Sequence, residues 1–190
     1  MAKIGFKSAH IHVPNREGTG YTTYNLDKTK GGAIEATISG LGAEATTVYA
    51  SNVPFFVSAK GTGETSVSLN VFDLQAGGAY SAVLGITADE KGIMTVGQDT
   101  QAPYVSVTFV SDDADGNEVY MGLTKVRFAH PDIALNTSEG GGTDPNTDTI
   151  EGSAISDSRG YVYASGVKSE TLTLEKFQDF VANKATPVGP

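Results

Sequence analysis

Residues 102–131, APYVSVTFVSDDADGNEVYMGLTKVRFAHP, constrain the fold more than any other stretch. They predict a long β-hairpin, because two runs of alternating apolar and small polar residues flank a turn-forming hexapeptide. In the first arm Val105, Val107 and Phe109 share one parity, and Ser106, Thr108 and Val110 the other. Asp112–Asn117 supplies the reversal, with Asp115 and Gly116 as the turn dipeptide, since glycine takes φ > 0 without a Cβ penalty. In the second arm Val119, Met121 and Leu123 share a face, while Val126 and Phe128 have the opposite parity. A strand of period 2 changes parity only by taking in an extra residue, so a β-bulge is expected near Thr124 and Lys125. Arms this long require sheet on either side.

The flanking sequence supplies it. Strands are expected at Lys3–Val13, Ala33–Ser39, Glu44–Ala50, Phe55–Lys60, Thr65–Phe72, Ile93–Val96, Ile150–Ile155 and Tyr161–Val167. Two short helices are expected, at Asp73–Gly85 with Asp73 and Gly85 as caps, and at Leu174–Val181. Residues 14–32 and 132–149 read as long loops and 184–190 as a loose tail. A single domain over residues 1–190 is expected, mainly β, with many turns.

Composition narrows the function. The formal charge is -9 and the basic residues are scattered singly, which disfavours a clamp on nucleic-acid phosphates. There is no cysteine, so disulfides and thiolate metal sites are excluded and a reducing cytosol is the simplest setting. The opening MAKIGFK has no apolar run behind its lysines, and nothing approaches the ~20 apolar residues of a membrane span.

No arrangement of residues argues for catalysis. His10 and His12 stand at i, i+2 on a strand and could share a metal, but two histidines in a sheet are the simpler reading. Asp113-Ala114-Asp115-Gly116 resembles the middle of a calcium loop, yet Ser111 and Gly122 occupy the positions of essential carboxylate ligands. No phosphate-binding or nucleophile-elbow motif occurs, and no metal or cofactor is expected. What stands out is a surface. The outward residues of the best strands, Glu35, Thr37, Ser39, Ser66, Ser68 and Asn70, with Ser106 and Thr108, are small, polar and neutral or acidic. An ordinary solvated sheet face would look the same; the sharper reading is a face that must not adhere to an anion.

In Lys3–Ile11 (KIGFKSAHI), Lys30–Gly42 (KGGAIEATISGLG), Ala50–Asn52, Gly97–Ser111 (GQDTQAPYVSVTFVS), Glu118–Phe128 (EVYMGLTKVRF) and the strand around Ile150–Ala154, the chain resembles the major tail tube proteins of phages with long, flexible, non-contractile tails. The resemblance implies a β-sandwich or partial barrel flanked by one or two short helices, and a structural virion protein of the tail with no enzymatic activity. It further implies six copies closed into a ring, rings stacked into a tube, and double-stranded DNA passing through the lumen without specific binding. Partners would be other copies of the chain, the tape measure protein and the terminator or baseplate proteins, with synthesis in the host cytoplasm. On this reading Glu35, Thr37, Ser39, Ser66, Ser68 and Asn70 are candidates for the lumen. Tyr21, Tyr24, Asn136, Glu139, Asp144 and Asp148 are candidates for contacts between subunits, and residues 132–149 for a loop between rings. The alternative is a baseplate or carbohydrate-binding β-sandwich, whose aromatic platform would have to come from Tyr21, Tyr24, Tyr161 and Tyr163.

Overall fold

The structure is a computed structural model that describes residues 3–15, 20–50, 52–58, 61–75, 78–133 and 146–184. In chain order the strands are β1 (Lys3–Pro14), β2 (Tyr21–Leu26), β3 (Ala33–Ser39), β4 (Thr46–Ala50), β5 (Val53–Ser58), β6 (Thr65–Val71), β7 (Val105–Asp113), β8 (Glu118–Phe128), β9 (Asp148–Ala154) and β10 (Tyr163–Val167). Helix α1 (Tyr80–Leu84) lies between β6 and β7, and α2 (Leu174–Val181) follows β10. The main sheet is antiparallel in the order β2-β1-β7-β8-β9-β6-β3, with β10 also paired to β8. β4 and β5 form a separate two-stranded ribbon.

The hairpin of β7 and β8 is the centre of this sheet. Gly116 sits at φ 83°, and the Asp113 carboxylate accepts from the backbone N–H groups of Asp115 (2.9 Å) and Asn117 (2.8 Å). The acidic tip is thus a side-chain-stabilised turn, and those bonds hold the Asp113 carboxyl below its ordinary range. The parity change is real. Val107 pairs with Leu123 and Val105 with Val126, so β8 carries one residue more than β7 over that interval, at Thr124 and Lys125. Leu123 and Val126 both point into the core as a result. The bulge is also where β8 changes neighbours, from β10 along Val119–Leu123 to β9 along Val126–Phe128. Bulges bend and twist a strand, and this one turns the sheet so that its two halves enclose one apolar core. That core includes Ile11, Leu69, Val107, Leu123, Val126 and Ile150, each fully buried.

A second cluster lies outside the curl. Val110 and Tyr120, on the opposite face of β7 and β8, are covered by Phe177 and Val181 of α2. Thr173 caps this helix by accepting from the Lys176 N–H. Ser106 and Thr108 are buried rather than outward as their parity suggested: α2 packs on this face of β7, and Thr108 Oγ1 bonds to the buried His12 of β1.

Three local expectations differ from the structure. Residues 21–26, expected within a loop, are a strand whose partner is β1. The helix expected over Asp73–Gly85 is confined to Tyr80–Leu84, with Ala79 rather than Asp73 at its start, although Gly85 ends it as expected. Gly78 at φ 72° breaks the helical path just before it. Residues 93–96 make no strand, only an isolated bridge between Ala88 and Met94.

Candidate functional site

The six candidate lumen residues lie on one sheet face as three cross-strand pairs: Glu35 with Asn70, Thr37 with Ser68, and Ser39 with Ser66. Their alternation puts Val67, Leu69 and Val71 into the core and the polar partners outward. The same face continues onto β9, where Ser66 pairs with Ser153, Ser68 with Glu151 and Asn70 with Thr149. It continues again onto β8, where Arg127 pairs with Ser153. Thr37, Ser66, Ser68, Ser153, Glu151 and Arg127 line a groove of about 330 Å³.

This face is not free of cations, as its first two strands alone suggested. The guanidinium carbon of Arg127 lies 4.0 Å from the centre of the Tyr104 ring, and the Lys125 ammonium 4.6 Å from it. Tyr104 is 37% exposed, so the three groups form an accessible patch at the margin of the hydroxyl-rich groove. Arg127 was legible from pattern: with Val126 and Phe128 inward, its parity is outward.

Of the candidate contact residues, the described ones lie in two places, Tyr21 and Tyr24 on β2 and Asp148 at the start of β9. Tyr21 is on the edge strand β2 and donates its hydroxyl to Asp179 of α2 at 2.6 Å. Burial and the Asp179 carboxylate together push the Tyr21 hydroxyl well above its ordinary value. Tyr24 packs against the core. Asp148 opens β9 and accepts from the Leu74 backbone N–H at 2.9 Å, so it ties the sheet to the segment before α1. Asn136, Glu139 and Asp144 lie outside the described residues, as does most of the proposed inter-ring loop. Nor do the four tyrosines make a sugar platform. Tyr163 packs against the core, and Tyr161 stacks with Phe180 beneath the Arg159 guanidinium.

Another exposed apolar surface lies elsewhere. On the β4–β5 ribbon Phe55 is 79% exposed, Tyr49 66% and Phe56 58%, and Val48, Val53 and Val57 are also exposed. Phe55 and Phe56 are consecutive, so they point to opposite sides of the ribbon, and no core covers either side. The sequence signal was the run VPFFV, whose bulky residues occupy both parities where a half-buried strand would alternate. Among the described residues β2 and β3 end the strand order of the main sheet, and β10 likewise has a single partner, β8.

The histidines are structural. β1 is an inner strand, and His12 is fully buried with its ring nitrogens hydrogen-bonded to Thr23 Oγ1 (3.0 Å) and Thr108 Oγ1 (3.1 Å). His10 bonds instead to Ser8 and Asn25. Burial, aided by His10 and opposed by Asp179, pushes the His12 pKa down to about 4. The unfolded chain, with an ordinary value of 6.5, therefore binds the proton first as pH falls. Stability is expected to decline between pH 6.5 and about 4 by about 3 kcal/mol and then to level off for this group. Thermal denaturation across that window should show a shallower slope for His12→Gln than for the parent; equal slopes would show that His12 is not the titrating group.

Among the described residues no three His, Cys, Asp or Glu side chains are placed to hold a metal ion, and no helix is long and apolar enough to cross a membrane. No individual curated protein matches the sequence. A family model described as phage tail tube protein matches residues 4–173, most of the chain. With a curled antiparallel sheet, a flanking helix and an unpartnered apolar ribbon, this chain belongs to the phage tail tube protein family.

Proposed function

We propose that this structural tail protein closes with five further copies into a ring, that the rings stack head to tail into the tail tube, and that the phage genome passes through the lumen. The observation that carries self-assembly is the β4–β5 ribbon. A two-stranded ribbon is marginal in water by itself, and large apolar groups on both its sides are costly to leave hydrated. In a tube built from one chain, a second copy would supply the covering surface. Head-to-tail contacts of this kind are heterologous and have no internal stop, as a tube requires.

The β3 edge suits the same reading. Its backbone groups adjoin the polar face and would pair with a neighbouring subunit, continuing the sheet around a lumen and removing an aggregation-prone edge. Glu35, Thr37, Ser39, Ser66, Ser68 and Asn70 would then face the DNA. Small hydroxyls and amides on a chain of net charge -9 give a polyanion little to hold.

Electron microscopy of the concentrated, purified protein tests the proposal. Rings with sixfold symmetry or tubes of constant diameter are expected, alone or with tail-initiation components added. Monomers that persist in both conditions would overturn it.

A further inference from the structure

We propose that Arg127, Lys125 and Tyr104 form a phosphate contact, a shallow site that takes one phosphodiester of a DNA strand moving along the polar face. The inference rests on the reading that this face lines the lumen.

Four observations converge on the site. First, neither Lys125 nor Arg127 forms an ion pair among the described residues, unlike Lys7, Lys168, Arg159 and Lys184, although Lys3, Lys28, Lys30, Lys91 and Lys176 likewise form none. Second, both lie against one tyrosine ring, at 4.0 and 4.6 Å from its centre, so a single aromatic side chain keeps two like charges near each other. An anion placed beside them relieves that repulsion. Third, Arg127 Nε is buried without a hydrogen-bond partner, which leaves the guanidinium fork with unused donor capacity. Fourth, the adjoining groove presents the hydroxyls of Thr37, Ser66, Ser68 and Ser153, neutral donors suited to phosphate oxygens.

The same face explains why such a contact stays weak. Glu35 and Glu151 stand on it too, so the two cations are offset by two carboxylates and net attraction for a polyanion is small. A phosphate is held briefly at each site and released to the next.

The test uses the full-length, unassembled chain and a fluorescein-labelled 20-base-pair duplex, with anisotropy followed from low to physiological salt. Binding at low salt is expected, and K125Q/R127Q should weaken it about tenfold or more and lower the salt slope by about 1, as one lost phosphate contact requires. K125Q and R127K, tested singly, should fall between the parent and the double variant and guard against misfolding of the latter. K91Q, in an exposed turn, should match the parent. Absence of binding by the parent, or a salt slope unchanged in all three groove variants, would overturn the proposal. So would poly-glutamate displacing the duplex at equal charge concentration, which would point to a carboxylate partner. Because the readout needs no tubes, a parent chain that binds DNA this way but never assembles would refute the tube and leave the phosphate site standing.

Discussion

Replacing Phe55 and Phe56 together by threonine is expected to abolish tube assembly while leaving the monomer folded. Threonine keeps the strand propensity of β5, so the ribbon retains its register with β4 and loses only its rings. Both rings are mostly exposed in the isolated chain, so removing them takes almost nothing from the monomer core. Against a second copy each would bury most of a phenyl group, about 2 kcal/mol at ~25 cal/mol per Å². Losing two such groups at every subunit contact weakens each by about 4 kcal/mol, and the deficit repeats around the ring. Thermal denaturation should place the variant within a few degrees of the parent, while sedimentation shows no large particles. Tubes of normal length and diameter would assign assembly to some other surface. A collapse in melting temperature would show that the ribbon folds back on its own subunit.

The elements that could be read from sequence are those whose pattern is local. The bulge at Thr124 and Lys125 followed from a parity change alone, and the Asp115-Gly116 turn and helix α2 from short-range chemistry. Strand β2 escaped because YTTYNL has no aliphatic residue before Leu26, and a strand at a sheet edge needs few. Ser106 and Thr108 were misplaced for a different reason. What packs on their face is α2, which begins far away in the chain, and alternation carries no information about such a lid. The polar face was legible on β3 and β6 but incomplete there. The sheet order that brings β9 and β8 alongside is a long-range fact, and with it came Glu151 and Arg127, which change the electrostatics of the face.

Gly40→Ala is expected to be among the most damaging single methyl additions in the described chain, with Gly85→Ala in a comparable position. Gly40 is the residue at which β3 ends and the path to the apolar ribbon begins, and it adopts φ 73°. A Cβ there would lie 2.0 Å from the Glu64 carbonyl oxygen and 2.7 Å from its carbon. These are backbone atoms of the segment entering β6, and they cannot swing aside as a side-chain tip can. Thr65 Oγ1 also donates to the Gly40 carbonyl at 3.1 Å, so the two segments are bonded where the methyl would force them apart. Separating them breaks the β3–β6 pairing at Ser39 and Ser66 and unseats the root of the ribbon. The cost is about 3 kcal/mol or more, a fall of about 10 °C in Tm for a chain of this size. Two controls separate the causes. Gly116→Ala meets nothing within 4 Å but shares the left-handed φ, so it isolates backbone strain at about 1 kcal/mol. Gly42→Ala has neither handicap and should be nearly neutral. If Gly40→Ala proves no worse than Gly116→Ala, strain alone sets the glycine requirement and the neck is looser than the contact distances imply. If it is far worse and tubes are lost with it, the contact between residues 40 and 64 anchors the ribbon through which the subunits join.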